Sequence, residues 1–291
     1  MDPQNSTGVL GAVGDLVEDV VVLLHESLHV ASDTPSTVTR RRGGSAANVV
    51  EAARRAGGRA RFIGQVGDDA VGSWLVRELE ELGAEVAVRT GGRTGTVVVL
   101  VDSTGERSML PDRAAATALD RPEHSWLDGL HTLHVPFYSL VGEPLATTVR
   151  TLAMWAHERG IAVSVDASSV SVLEHVGVET SLDLMASLAP EVVLANELEA
   201  ATLGDGLTPA RLGATVVVVK HGADPAEVRL ADGTTRTVPA IAVPGVRDTT
   251  GAGDGFAAGF LIEWAASHDA VAATRHGHDV AAAAVRRASG L

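Results

Sequence analysis

Short apolar strands alternate with helical segments along the second half of this 291-residue chain. The pattern predicts strands at 132–135, 161–165, 192–194 and 215–219, with helices at 145–159, 181–188 and 197–203 between them. The strand with four consecutive valines, 216–219, is apolar on both faces, as expected for a parallel strand covered by helices on both sides. This order predicts an α/β fold with a doubly wound, mostly parallel sheet, in which ligands bind beyond the carboxyl ends of the strands.

The chain is predicted to form one domain over residues 1–291. Its length is enough to bury a full core, and no Pro/Ser/Gly-rich linker divides it. Two segments, about 17–42 and 94–113, interrupt the alternation with hairpin-like patterns. These segments are predicted to form a small β appendage beside the main sheet.

Charge and composition exclude several classes of partner and site. A formal net charge of −14 argues against nucleic acid and against an anionic membrane, because both attract a basic surface. The chain has no cysteine, which excludes disulfides and thiolate metal sites. No apolar run reaches the roughly 20 residues that span a bilayer, and the start lacks a signal-peptide pattern. We therefore expect a cytoplasmic protein without a membrane partner.

A glycine-rich turn lies between an apolar stretch and an Ala-rich helical pattern at 256–267. It reads Asp248-Thr249-Thr250-Gly251-Ala252-Gly253-Asp254-Gly255. Glycines leave successive N–H groups free to face an anion, and the following helix adds the positive end of its dipole. Asp254 would then stand beside an anion hole, where it can take a proton from an attacking hydroxyl. The alternative interpretation is a strand-to-helix turn with Asp254 as a helix cap.

A second glycine-rich region lies near the start of the chain. It reads Arg42-Gly43-Gly44-Ser45-Ala46-Ala47-Asn48 and, after a helical segment, Phe62-Ile63-Gly64-Gln65-Val66-Gly67-Asp68-Asp69. In this order, and over nearly the whole chain, the two glycine-rich regions resemble the signature regions of the ribokinase-like (PfkB) carbohydrate kinase family. The resemblance implies a ribokinase-like fold in which segments 17–42 and 94–113 form a β lid over the sugar.

The resemblance also implies the reaction and its catalytic residues. ATP would donate its γ-phosphoryl group to a primary hydroxyl of a pentose or hexose, with Asp254 as the base. The amides of Gly251, Ala252 and Gly253 would form the anion hole. Because phosphoryl transfer asks little covalent chemistry of a protein, positioning and charge stabilisation should dominate catalysis.

The resemblance assigns substrate binding to Asp19, Gly43, Gly44 and Asn48. The glycines let the backbone approach a small polar ligand, and Asn48 offers a donor and an acceptor to neighbouring hydroxyls. The alternative is a tight turn with Asn48 satisfied inside its own helix. Ribokinase itself carries Asn where this chain has Val17, so ribose is only one candidate. Aromatic residues make up 3% of the chain, which favours a free sugar over a nucleoside.

Nucleotide binding is assigned by resemblance to Asn196, Lys220, Gly222 and His278. Lys220 is the only lysine in the chain and follows the tetravaline strand, where its ammonium would contact phosphate. A surface histidine in an Ala-rich helix is an equally good account of His278. The family usually has glycine where this chain has Pro225, which removes an N–H group from this segment.

The resemblance implies two cation sites. Asn196 and Glu199 match the family's N-x-x-E motif and, with Asp166, would hold Mg²⁺ through its waters. A helix N-cap is the alternative for Asn196. A K⁺ ion would bind the carboxylate of Asp248 and nearby carbonyls such as that of Thr250.

Other functions stay open from the sequence. A nucleoside kinase and a sugar-phosphate kinase are the enzymatic alternatives, and the arginines at 40–42 beside Gly43 would suit a phosphorylated substrate. A sugar- or nucleotide-binding regulator is the alternative without turnover, and Asp254 with its glycines argues against it. The resemblance also leaves room for a homodimer formed through the lid.

Overall fold

The computed structural model describes residues 8–290. In chain order the strands are β1 (Val9–Val13), β2 (Val17–Leu24), β3 (Ser36–Gly43), β4 (Ala60–Val66), β5 (Glu85–Thr90), β6 (Thr96–Val101), β7 (Arg107–Asp112), β8 (Leu130–Pro136), β9 (Ala162–Asp166), β10 (Val192–Asn196), β11 (Val216–His221), β12 (Asp224–Leu230) and β13 (Thr235–Val238). The α-helices are α1 (Ser45–Arg55), α2 (Ala70–Glu81), α3 (Leu145–Glu158), α4 (Val170–Val176), α5 (Val178–Ala186), α6 (Glu197–Leu203), α7 (Pro209–Leu212), α8 (Ala252–Ser267) and α9 (Ala270–Ser289).

The main sheet has nine strands in the order β13-β12-β11-β10-β9-β8-β1-β4-β5. All neighbouring pairs from β11 to β5 are parallel, whereas β12 and β13 extend the sheet antiparallel to β11. The prediction of a doubly wound, mostly parallel sheet is confirmed. The antiparallel edge was not predicted, since the sequence analysis named no strand after residue 219, and Pro225 lies within β12. An edge region of a sheet tolerates proline, whose missing N–H then costs no central pairing.

The tetravaline strand is buried on both faces, as its sequence predicts. Val217 and Val219 pack in the core formed with α3, α5 and α6, whereas Val216 and Val218 pack in the core formed with α1, α2, α8 and α9. Because successive strand side chains point to opposite faces, one valine run supplies both cores.

A separate four-stranded sheet, called the small sheet below, has the order β3-β2-β6-β7. Its strands come from the two segments, 17–42 and 94–113, that interrupt the alternation. Strand β2 follows β1 directly through the turn at Gly14, and β3 runs into α1 through Gly44. The small sheet is therefore joined to the carboxyl edge of the main sheet, where ligands of such folds bind.

Helix α8 begins at Ala252, earlier than the predicted 256, so Asp254 lies in its first turn. The helix packs closely on α9 because glycine stands at the contact. A Cβ on Gly259 would lie 2.6 Å from the carbonyl oxygen of His276 and 3.0 Å from the Cα of Gly277. This packing fixes the position of the α8 amino end.

Within residues 8–290, none of the helices combines the length and the apolar character needed to cross a membrane.

We expect Gly259→Ala to lower the free energy of unfolding by about 1–3 kcal/mol, because the added methyl group overpacks the contact between α8 and α9. Urea unfolding measures this difference. Gly91→Ala is the matched control, since a Cβ there has its nearest neighbour at 3.7 Å. It should change stability by less than about 0.5 kcal/mol. Equal effects of the two substitutions would contradict the proposed close packing.

Candidate active site

A cleft of about 970 Å³ lies between the carboxyl edge of the main sheet and the small sheet. Most of the predicted site residues line it: Asp19, Gly44, Asn48, Asp166, Asn196, Glu199, Lys220, Gly222, Thr250, Gly251, Ala252, Gly253, Asp254 and His278. Gly43 and Asp248 lie just behind this lining, against Asp19 and Thr250 respectively. The structure thus brings together residues from both ends of the chain.

Asp254 is held by two donors from the amino end of α1. Ser45 Oγ donates to its Oδ1 at 2.7 Å, and Asn48 Nδ2 donates to its Oδ2 at 3.0 Å. Burial raises the pKa of Asp254, while the two hydrogen bonds partly oppose this rise. The Asp254 carboxylate lines the cleft and, because its pKa is raised, is a stronger base than an ordinary aspartate.

A buried arginine fixes the orientation of Asn48. Arg42, whose side chain is 5% exposed, donates from Nη1 to Asn48 Oδ1 at 3.1 Å and forms an ion pair with Glu51. Because a guanidinium is only a donor, the amide oxygen must face Arg42 and the amide nitrogen must face Asp254. Asn48 is thus tied to the aspartate, with one N–H left for a ligand.

Sequence reasoning assigned no role to Ser45 and considered Arg42 only as one of three arginines that would suit a phosphorylated substrate. Ser45 and Asn48 are three residues apart at the start of α1 and so share one helix face. That spacing was the available signal for a second donor to Asp254. Arg42 acts through Asn48 and Glu51, which lie six and nine residues further along the chain in α1.

The glycine-rich turn presents backbone N–H groups to the cleft. Gly251 has φ of 76° and stands at the N-cap of α8, and no side chain among the described residues caps this end. The open first turn of a helix is an anion-binding site. Of the three predicted amides, that of Ala252 also donates to the carbonyl of Thr249 at 3.1 Å. A Cβ on Gly253 would lie 3.6 Å from Lys220 Nζ, so the ammonium stands beside the turn.

Three neighbouring strands end in a cluster of charged and polar groups. Lys220 Nζ donates to Asp166 Oδ2 at 2.7 Å, and Glu199 is 3% exposed. Burial lowers the pKa of Lys220, but the charges of Asp166 and Glu199 outweigh burial and raise it, so the ammonium stays charged. Burial and the charge of Asp166 raise the pKa of Glu199.

Asn196 and Glu199 form a capping box at the start of α6. Asn196 Oδ1 accepts from the Glu199 N–H at 2.9 Å, while Glu199 accepts from the Asn196 N–H at 2.8 Å and from its Nδ2 at 2.7 Å. The N-cap interpretation of Asn196 is therefore correct. A carboxylate has about four acceptor sites, so Glu199 and Asp166 can still accept from metal-bound waters. No cluster of three or more metal-ligating side chains occurs within residues 8–290.

Both glycines at the start of α1 are required by close contacts. A Cβ on Gly43 would lie 2.1 Å from Asp19 Oδ1, and one on Gly44, where φ is 100°, would lie 2.2 Å from the Asp15 carbonyl oxygen. Burial raises the pKa of Asp19, with Arg41 and Arg42 opposing the rise. The Asp19 carboxylate faces the cleft directly beside the backbone of Gly43.

Sequence reasoning missed an ion pair in the cleft. Arg113 binds Asp15 with two hydrogen bonds of 2.7 Å, and its guanidinium lies 6.0 Å from the ring centroid of Tyr138. The side chains of Arg113 and Asp15 are 19% and 15% exposed, so Arg113 is not a solvated surface arginine. Its partner is distant in sequence, which is why no local pattern revealed the pair.

His278 lies in the wall of the cleft and is 6% exposed, so it is not a surface histidine. Burial lowers the pKa of His278. Its ring stands edge-on to that of Phe256, with 5.2 Å between the ring centroids. Its Nε2 has no hydrogen-bond partner in the described part of the chain. Gly222, with φ of 61°, has open space beside it. Pro225 lies in β12.

Comparisons with known proteins agree with this geometry. The model of a family described as "pfkB family carbohydrate kinase" matches residues 10–290. An ATP-dependent ribose-1-phosphate kinase of Halopiger xanaduensis is 34% identical over 233 residues, which cover 78% of this chain and 74% of that protein. A fructokinase of Klebsiella pneumoniae is 34% identical over 244 residues, 77% of each chain.

Solved structures show the same fold. An adenosine kinase from Sinorhizobium meliloti superposes with a TM-score of 0.84 at 22% identity, covering 96% of this chain and 94% of that one. A fructokinase with bound ATP from Xylella fastidiosa gives a TM-score of 0.80 at 23% identity, covering 95% and 91%.

Glu199→Gln should make stability less dependent on pH. The pKa of Glu199 is raised in the folded state, so folding favours its protonated form. The resulting contribution to the free energy of unfolding is complete below the unfolded-state pKa and is lost as the pH rises through the folded-state pKa. Between about pH 5 and about pH 8, the unfolding free energy of the variant relative to wild type should rise by at least about 1 kcal/mol.

Urea unfolding at both pH values measures this difference, and any pH-independent cost of a lost hydrogen bond cancels. Glu174→Gln, at an exposed position on α4, is the control and should show no such trend. A flat difference for Glu199→Gln would show that Glu199 is ionised without penalty.

Proposed function

The chain belongs to the pfkB family of carbohydrate kinases and is an ATP-dependent kinase, and we propose that Asp254 is the base that activates a sugar hydroxyl. The observation that carries the proposal is the position of the Asp254 carboxylate. It lies in the first turn of α8, lines the cleft, and has a pKa raised by burial. A base with a raised pKa accepts a proton more readily as the hydroxyl oxygen attacks phosphorus.

The amides of Gly251, Ala252 and Gly253 bind the transferring phosphoryl group. Two observations support this role of the amides. The start of α8 has no side-chain cap, and Gly251 adopts a left-handed conformation that exposes N–H groups beside Asp254. The N–H of Ala252 would share its donation between the Thr249 carbonyl and the phosphoryl oxygens. This arrangement stabilises negative charge where it grows during transfer.

Lys220 contacts the phosphates of ATP from the other side of the turn. Its ammonium keeps its charge and stands beside Gly253. Asp166 and Glu199 would hold Mg²⁺ through its waters, and the charge of that ion would offset the charge of the β- and γ-phosphates. Asn196, Gly222 and His278 border the cleft on the same side and are proposed to contact the nucleotide.

The opposite end of the cleft binds the sugar. Asp19 offers a partly buried carboxylate, Asn48 keeps one free N–H, and Gly44 lines the cleft beside them, with Gly43 directly behind Asp19. A site that bonds adjacent hydroxyls penalises an analogue lacking them, because its buried polar groups are left unpaired. The small sheet would cover this end as a lid.

A free pentose or hexose is the proposed substrate. The cleft face of the small sheet offers aliphatic side chains, Val17, Val97, Val99, Met109 and Pro111, and no aromatic platform for a base. A sugar phosphate is the second candidate, because Arg41 and Arg113 line the cleft. Both arginines already face carboxylates, those of Asp19 and Asp15, which weakens their attraction for a phosphate.

The outer face of the small sheet would support a homodimer. Strand pairing places Val22 beside Val38 and Val98 beside Leu110 on the face that points away from the cleft. Val38 and Leu110 are 57% and 56% exposed. A contiguous apolar face of this kind suits a second copy of the chain.

The cytoplasmic location of the protein stays a prediction.

Asp254→Asn should lower kcat by at least about 100-fold and leave the KM for ATP within about twofold, because the amide keeps the shape of the base but not its proton affinity. A coupled assay of ADP release measures both constants. Asp205→Asn, at an exposed position, is the control and should behave as wild type. A variant at position 254 with half of wild-type turnover would refute the assignment.

A panel of free sugars, sugar phosphates and nucleosides should give the highest kcat/KM for a free sugar. A nucleoside preferred by more than about tenfold, or about 1.4 kcal/mol of transition-state binding, would show that the pocket holds a base. A sugar phosphate preferred by the same margin would favour the second candidate. Arg113→Met should then remove that preference, since its guanidinium would be the phosphate ligand.

A further inference from the structure

An arginine from the small sheet reaches the glycine-rich turn. Arg107, at the start of β7, donates from Nη2 to Asp248 Oδ1 at 2.8 Å and from Nη1 to Thr250 Oγ1. Its side chain is 32% exposed and lines the cleft. This contact joins the small sheet to the segment that leads into α8.

The Asp248 carboxylate already has a positively charged partner, the guanidinium of Arg107. The N–H of Thr250 donates to Asp248 Oδ1 at 2.7 Å, the same oxygen that accepts from Arg107. One carboxylate and one guanidinium therefore form a neutral, partly buried pair.

This pair does not fit the K⁺ ion that the family resemblance implies at Asp248 and Thr250. A cation coordinated by the Asp248 carboxylate would stand within a few ångströms of the guanidinium, and the two positive charges would repel each other. The predicted K⁺ site and the observed ion pair thus compete for the same carboxylate.

We propose that Arg107 takes the place of the monovalent cation beside the glycine-rich turn, so that this kinase works without K⁺. The guanidinium fixes the turn through Asp248 and Thr250 and supplies a permanent positive charge next to the anion hole. Because Arg107 belongs to the small sheet, its contacts also join that sheet to the turn. This proposal rests on the proposed function of the turn, and Arg107 acts in it as a positioning residue.

The test compares K⁺ with tetramethylammonium at equal ionic strength, using both turnover and the thermal unfolding midpoint Tm. For wild type, both quantities should be the same in the two salts, within about 1.5-fold for kcat and about 1 °C for Tm. Activation of wild type by K⁺ of about threefold or more would overturn the proposal. This arm needs no variant.

Arg107→Met should bring back a cation requirement. In tetramethylammonium the kcat of this variant should be lower than that of wild type by about tenfold or more. Replacing tetramethylammonium with K⁺ should then raise its kcat by at least about threefold. K⁺ should also raise the Tm of this variant by about 2 °C, because a cation that binds only the folded state stabilises it. Adding Asp248→Asn should abolish both effects of K⁺.

Arg93→Met is the matched control. Arg93 pairs with Asp112 at the other end of β7 at 2.5 Å, where both side chains are 61% exposed. It should match wild type in both salts. Wild-type turnover of Arg107→Met without K⁺, or no response of its Tm and kcat to K⁺, would overturn the proposal.

The Tm comparison separates this proposal from the proposed function. If wild type phosphorylates no sugar, the proposed function fails, while the Tm response of wild type and Arg107→Met to K⁺ still decides which cation Asp248 binds.

Discussion

The buried ion pair between Lys220 and Asp166 is the interaction on which the site depends. Asp166 ends β9, Lys220 lies near the end of β11, and β10 runs between them, so the pair ties three parallel strands together at their carboxyl edge. A lone charge at this depth would be strongly unfavourable, so each partner requires the other. The pair holds an ammonium beside Gly253. Burial and the charge of Asp166 raise the pKa of the neighbouring Glu199, and the ammonium of Lys220 opposes that rise.

The buried carboxylate of Asp254 lowers the stability of the fold. Burial destabilises the ionised carboxylate, and the hydrogen bonds from Ser45 and Asn48 offset this effect only in part. Arg42 matters here because it dictates which end of the Asn48 amide meets Asp254. A carboxylate that is easier to protonate is a poorer stabilising element and a better base, which is the property that the proposed role of Asp254 requires.

The small sheet contacts both ends of the cleft. Its strands place Asp19 and Arg41 beside the start of α1 and Arg107 beside the glycine-rich turn. Catalysis by positioning needs both ends of a cleft arranged at once. In the proposed function, one sheet would therefore help to order both the sugar-binding end and the phosphate-binding end.

The sequence by itself determined the fold class and the two glycine-rich regions. The tetravaline run, the strand–helix alternation and the glycines are local patterns whose physical meaning does not depend on distant residues. The helix cap at Asn196 was likewise readable from the sequence.

Only the tertiary structure decided which groups meet. The pairs Arg113 with Asp15 and Arg107 with Asp248, and the contacts of Asp254 with the start of α1, depend on strand pairing and on how α1 and α8 approach each other. So does the burial that shifts each pKa. Such contacts join residues far apart in the chain, and no local pattern encodes a distance between them.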